Sequence, residues 1–245
     1  MKKGMLLIAF AVLVFAAPAG AGETFETDVL PTSRGDLKIT FIGHASLYFT
    51  FGGKVIRVDP VGRYADYDAL PKADLILVTH EHTDHFDPKT IALIGTEKTK
   101  LVLTSLCTAK GGHGIVLKNG EETTVDGIRI EAVPAYNIVH MRSTGTPFHP
   151  KGDGNGYILT FGDKRVYVAG DTENIPEMKG FGRIDVAFLP MDLPYTMTPE
   201  MAADAARMVK PQILYPYHTS ETDTSKIVAL LKGEKGIEVR IRKMK

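Results

Sequence analysis

The sequence predicts an α+β fold: two packed sheets with helices on their outer faces. Three observations predict it. Strand-like runs dominate the chain as far as Ala169, broken by one short helix, and then alternate with helices. Gly52-Gly53, Asp126-Gly127 and Gly162-Asp163 each join two strand-like runs, which is hairpin chemistry. The buried strands are continuous apolar runs that stop abruptly at polar residues, as in Asp74–Thr79.

Taken in order, Leu37–Ile42, Ser46–Phe51 and Lys54–Val58 read as strands, followed by Asp74–Thr79. Pro88–Ile94 reads as a helix, because Asp87 can cap it and Pro88 suits the first helical position. Leu101–Thr104 is a further buried strand, and Glu121–Val125 and Ile128–Val133 flank the Asp-Gly turn. Residues 135–155 have no periodicity and are rich in Gly, Pro, His and Asn, so they read as a functional loop. Strands resume at Gly156–Phe161, Arg165–Ala169 and Asp185–Leu189. Thr198 then caps a helix that runs through Lys210, Gln212–Pro216 is a strand, and Asp223–Lys232 is an amphipathic helix. Gly236–Arg242 alternates and reads as a terminal edge strand.

The N-terminus is different in kind. Lys2 and Lys3 precede an uncharged apolar run from Met5 to Ala17, and Ala19-Gly20-Ala21 follows. This is the form of a secretory signal peptide, residues 1–21, and is too short for a stable membrane span. Residues 22–36 then read as a polar tail and 37–245 as one domain, with a periplasmic or secreted location expected. Lys+Arg and Asp+Glu both total 29; loss of Lys2 and Lys3 leaves 27 basic against 29 acidic residues, a net charge of −2. No basic face or stripe marks a nucleic-acid partner. Cys107 is the single cysteine, so no internal disulfide forms, and its apolar setting reads as a small buried hydrophobe.

The chemistry concentrates in His80-Glu81-His82-Thr83-Asp84-His85, directly after a buried strand. On a helix or strand these donors would diverge; on a turn at a strand's end they can converge. Imidazole with carboxylate suits zinc, and four donors exceed what one open catalytic site draws from one segment. His80 and His82 therefore serve one metal, and Asp84 and His85 a second.

This H-x-H-x-D-H pattern resembles the signature of the metallo-β-lactamase superfamily, and the likeness extends from about Leu37 onward. It implies a four-layer αββα sandwich with metals at one edge between the sheets. Val58-Asp59-Pro60, Ala169-Gly170-Asp171-Thr172 and Tyr217-His218 resemble further family pieces, in the expected order. They imply that Asp171 bridges two metals and that His218 is the last histidine ligand. Asp59 would accept the free N–H of a ligand histidine. Ile42-Gly43-His44-Ala45-Ser46, Pro134-Ala135-Tyr136-Asn137, His149-Pro150-Lys151-Gly152 and Gly154-Asn155-Gly156-Tyr157 are similar to one branch. That branch includes the L-ascorbate-6-phosphate lactonases and the N-acyl-phosphatidylethanolamine phospholipase D enzymes. Many superfamily members carry a ligand histidine where this chain has Asn137. His149 is the favoured replacement, His140 the reserve, and the Asn137 amide oxygen a weak third donor.

His44 lines the pocket and meets substrate oxygen, or is simply a turn histidine; Tyr195 lies on a rim loop or packs. Met191, Met197, Met201 and Met208 read as core and helix filler. The resemblance implies two zinc ions, with Mn2+ or Fe2+ as alternatives, about 3.5–4 Å apart around a shared hydroxide. Asp84 would orient that nucleophile. Hydrolysis of an ester, lactone, amide or phosphodiester in a small-molecule or lipid-like substrate follows. The rivals are a di-iron oxidoreductase and a non-catalytic metal- or ligand-binding protein on the same fold.

Overall fold

The computed structural model describes residues 24–244, so the signal-peptide reading lies outside the described residues. The first sheet comprises β1 (Thr27–Thr32), β2 (Gly35–Gly43), β3 (Ser46–Phe51), β4 (Lys54–Val58), β5 (Leu75–Leu77), β6 (Lys100–Leu103) and β7 (Ile115–Val116). The second comprises β8 (Glu122–Val125), β9 (Ile128–Ala135), β10 (Gly154–Phe161), β11 (Lys164–Val168), β12 (Val186–Pro190), β13 (Ile213–Tyr217) and β14 (Glu238–Val239). Both sheets run in chain order with the same pattern, three antiparallel pairs followed by three parallel ones.

That pattern has a local cause. Gly52-Gly53, Asp126-Gly127 and Gly162-Asp163 close hairpins between β3 and β4, β8 and β9, and β10 and β11. Parallel neighbours need a crossover instead. Helices α1 (Pro88–Ile94) and α2 (Ser105–Ala109) supply two of them in the first half, and α3 (Pro199–Val209) and α4 (Ser225–Leu231) two in the second. Asp87 caps α1 by accepting from the backbone of Lys89 and Thr90, and Thr198 caps α3 by accepting from Met201. The chain thus holds a topological repeat, seven strands and two helices used twice, that no short sequence period betrays.

The sheets meet through the alternate residues of their facing strands. Phe41, Phe49 and Phe51 of the first sheet pack with Phe161, Phe188 and Tyr215 of the second, all within one buried cluster. The Phe41–Tyr215 ring centroids are 4.9 Å apart and those of Phe188–Tyr215 5.1 Å, a spacing at which aromatic pairs add to simple burial. Outer clusters lie under the helices. Met191 and Met197 are fully buried beneath α3 and Met201 and Met208 pack against them, as filler residues should. Cys107 is buried and unpaired on α2.

Two expectations are revised, and one element had none. Residues 27–32, expected in a tail, form β1 and pair along β2 from Thr27↔Thr40 to Thr32↔Gly35. Asp28 at this edge is held by Arg240, Arg242 and Tyr215, contacts that lie far along the chain. The terminal strand is Glu238–Val239, with the Arg240 backbone N–H still donating to the Leu214 carbonyl at 2.9 Å, while the Arg240 and Arg242 side chains reach Asp28. Ser105–Ala109, with Thr104 as its cap, is a short helix that had no sequence expectation.

Candidate metal centre

Because the parallel strands of both sheets point their C-terminal ends to one edge, the residues that follow them converge there. Asp59 follows β4, His80 follows β5, Asp171 follows β11, and His218 follows β13. The segment after β5 turns at once: His85 and Phe86 both donate backbone N–H groups to the carbonyl of His82, at 3.0 and 2.8 Å. This turn, not a helix or strand, aims His80, His82, Asp84 and His85 inward. His44, Asp59 and His218 have positive φ angles of 52°, 44° and 46°. Such left-handed conformations cost on the order of 1–3 kcal/mol each and concentrate at working sites. Gly170 has φ +64°, and a Cβ there would lie 2.8 Å from the Asn155 carbonyl oxygen, so only glycine presents Asp171 this way.

Two groups of donors form. In the first, His82 Nδ1 lies 3.1 Å from His80 Nε2 and 3.2 Å from His149 Nε2. In the second, His85 Nε2 and His218 Nε2 each lie 3.7 Å from Asp84 Oδ2, and His44 Nε2 lies 3.2 Å from it. Asp171 stands between them. Its Oδ2 is 3.2 Å from His149 Nε2 and 3.4 Å from His218 Nε2, and its Oδ1 is 3.2 Å from His85 Nε2. His85 Nε2, His218 Nε2 and Asp171 Oδ1 are buried and have no hydrogen-bond partner. Buried polar atoms are rarely left so, and their convergence with neutral-imidazole and carboxylate chemistry fits a metal ion.

A second layer fixes the ring orientations. Asp59 Oδ2 faces His85 Nδ1 at 2.8 Å and accepts from the Thr79 hydroxyl at 2.7 Å. Asn137 Oδ1 accepts from the His149 backbone at 2.9 Å and faces its Nδ1 at 2.7 Å. The Asn137 amide in turn donates to Glu173 Oε1 at 3.1 Å. Asp192 Oδ2 lies 3.4 Å from His218 Nδ1 and accepts from Ser220. Asp59 and Asn137 can each hold a proton on one ring nitrogen and leave the other free for a metal, whereas Asp192 only approaches His218.

The charges are strongly coupled. Burial pushes the Asp171 carboxyl up, but His218 and His85 outweigh it and hold the carboxylate well below its usual range. Asp84 is likewise lowered against its burial, by His218, His44 and His85. Burial and the neighbouring His85 push His80 well below an ordinary histidine. Burial would lower His85 too, but Asp171 and Asp59 drive it up to about 10. Both acids are therefore ready ligands, and metal binding must displace protons from the site.

The profile of the Beta-lactamase superfamily domain matches residues 38–218, most of the chain and every residue of both donor groups. The protein belongs to the metallo-β-lactamase superfamily. Within it, the chain belongs to the UPF0173 metal-dependent hydrolases. The Pelotomaculum thermopropionicum member is 30% identical over 221 residues, 84% of this chain and 96% of the relative. A Parabacteroides distasonis protein, crystallised under the description of a metal-dependent hydrolase, is 50% identical with a TM-score of 0.86, covering 91% of this chain and all of that one. Igni18, a metallo hydrolase of Ignicoccus hospitalis, is 26% identical with a TM-score of 0.70, covering 84% of this chain and 94% of that one. The αββα fold and a metal-dependent hydrolase activity follow.

In this hydrolase His149, not His140, joins His80 and His82. The ring of His140 turns to Glu173, with Nδ1 at 2.7 Å from its carboxylate. Asn137 does not point its amide oxygen at the donors as a weak ligand; that oxygen faces His149 from behind. Tyr195 sits on the rim, 46% exposed, with its ring edge-on to Phe148 at 5.1 Å. The branch-like motif Gly154-Asn155-Gly156-Tyr157 braces the site: Asn155 N–H donates to the Thr79 carbonyl and the Tyr157 hydroxyl to that of Val78, both at 2.9 Å. Glu173 and Asp192 had no expectation. Asp192 was findable, as a carboxylate directly after an apolar strand like Asp59. Glu173 was not, because nothing local distinguishes it from a surface glutamate.

Proposed function

We propose that this metal-dependent hydrolase is an exported dinuclear zinc enzyme that cleaves an ester, lactone, amide or phosphodiester bond. The observation that carries the reading is Asp171, fully placed between two histidine groups with one oxygen toward His85 and the other toward His149 and His218. His80, His82 and His149 would hold one ion and Asp84, His85 and His218 the other. When bound, such ions supply a water of lowered pKa and an electrophile for substrate oxygen. Asp84, whose side chain is 30% exposed toward the cavity, orients the attacking water. His44 steadies Asp84 through its Nε2 and lines the same cavity, in reach of substrate oxygen. Thr79, Asp59 and Asn137 keep the ring nitrogens aimed. Asn137 supports this centre from behind, through its Oδ1 on His149.

Export rests on the basic start, the apolar run and Ala19-Gly20-Ala21. Among the described residues no helix is long and apolar enough to cross a membrane. The motif likeness to the lactonase and phospholipase branch supports a small or lipid-like substrate without choosing between them. Metal content of the protein purified from its exported fraction, without added metal, tests the proposal. Two zinc ions per chain and an N-terminus at residue 22 are expected. One ion or none, two irons, or an intact Met1 would each remove a part of it.

A further inference from the structure

The cavity over the two donor groups has a volume of about 510 Å3. Three cations line it: Arg63 from the turn after β4, Lys110 at the end of α2, and Arg142 from the loop between β9 and β10. All three are exposed, and among the described residues none lies within ion-pair distance of a carboxylate. Arg129, Arg165, Arg183, Arg207, Arg240 and Arg242 do have such partners. The cavity cations are positioned without being neutralised. Lys110 Nζ donates to the Glu81 carbonyl at 3.1 Å and Arg142 Nη2 to the Phe148 carbonyl at 3.1 Å. The Arg63 guanidinium lies 4.7 Å over the Tyr64 ring, which stacks on His44.

The acids of the same cavity are already committed. Asp84 and Asp171 face the histidines, and Asp192 is shared between His218 and Ser220. The uncommitted charge at the mouth is therefore that of three cations, drawn from segments far apart in the chain. Phe148, whose ring lies 5.2 Å under the Arg142 guanidinium, and Tyr195 add an aromatic wall to the same cavity. Guanidinium groups match the geometry of carboxylate and phosphate oxygens, and a cleft lined by one sign of charge concentrates its counter-ion.

We infer that the substrate is a small anion whose carboxylate or phosphoryl group, distinct from the bond cleaved, docks between Arg63, Lys110 and Arg142. The body of the substrate lies along Phe148 and Tyr195, with its scissile bond toward Asp84 and Asp171. This specificity rests on the hydrolase reading for its context, but it concerns binding and is measurable without turnover.

The test uses 4-acetoxybenzoate and 4-acetoxyacetophenone, two aryl acetates that differ in a carboxylate against an acetyl group. Affinities of the zinc-loaded protein are measured by calorimetry with the corresponding methyl ethers, 4-methoxybenzoate and 4-methoxyacetophenone, which carry no ester to cleave, and phenol release from the acetates is followed separately. The anion is expected to bind roughly tenfold tighter, the value of one charge-assisted hydrogen-bonded contact. In the combined Arg63→Gln, Lys110→Gln, Arg142→Gln variant the ratio of the two affinities is expected to fall to within about twofold of unity. Equal affinities in the wild type, or a ratio unchanged in the variant, would overturn the inference. Discrimination without phenol release would count against the hydrolase reading alone, and phenol release without discrimination against the anion mouth alone.

Discussion

Replacing Asn137 by alanine removes four hydrogen bonds at a residue that is 3% exposed. Two of them hold His149, at its backbone N–H and its Nδ1, and two anchor the amide to Glu173 and to the Tyr195 carbonyl. Without Oδ1 the His149 ring is free to rotate and its Nε2 no longer stays 3.2 Å from both His82 Nδ1 and Asp171 Oδ2. Loss of such an outer partner costs about 10–100-fold in metal affinity, or about 1.4–2.7 kcal/mol. The partners left buried cost about 1–3 kcal/mol of stability, at roughly 2–4 °C in Tm per kcal/mol for a chain of this size. Competition with a chromophoric zinc chelator reads the first quantity, and thermal unfolding followed by circular dichroism reads the second. One equivalent of zinc should weaken by the stated factor while the folded spectrum is kept. Affinities within twofold of wild type, in a protein that folds normally, would refute the idea that Asn137 positions His149.

His82→Ala and Asp171→Ala should each strip metal and activity while a native-like spectrum survives; full metal and full rate in both would show that the site lies elsewhere. Gly170→Ala forces a Cβ onto the Asn155 carbonyl at positive φ, so a loss of about 1–3 kcal/mol is expected in denaturant unfolding, with a metal defect because Asp171 follows it. A variant as stable as wild type would contradict the close approach. Asp28→Asn should cost about 1–3 kcal/mol at pH 7. Burial raises the Asp28 carboxyl, but the Tyr215 hydroxyl and Arg242 override it and leave the folded value below 3.8. Its stabilisation is therefore complete above the unfolded value and fades as pH falls through the folded one. Urea unfolding at pH 7 and at pH 3 should show the gap between variant and wild type shrinking in acid, and an unchanged gap would refute the ion-pair account.

What the sequence determined by itself was whatever adjacent residues decide among themselves. Asp87 and Thr198 cap helices because their partners lie two or three residues on. Gly52-Gly53 and Asp126-Gly127 close hairpins because the turn itself requires their backbone. His80, His82, Asp84 and His85 converge because one turn holds them all. The tertiary structure decided what depends on partners distant in sequence. His149 prevails over His140 because Glu173 takes the His140 ring while Asn137 takes the other, and no spacing within residues 135–155 encodes that choice. Residues 27–32 form a strand by pairing along the adjacent β2, and only the tertiary structure brings Arg240, Arg242 and Tyr215 onto Asp28 from the opposite end of the chain. Arg63, Lys110 and Arg142 look like scattered surface cations until three separate connections bring them to one cavity. Short-range geometry leaves a readable spacing in the chain, whereas contacts made by sheet pairing and loop packing leave none.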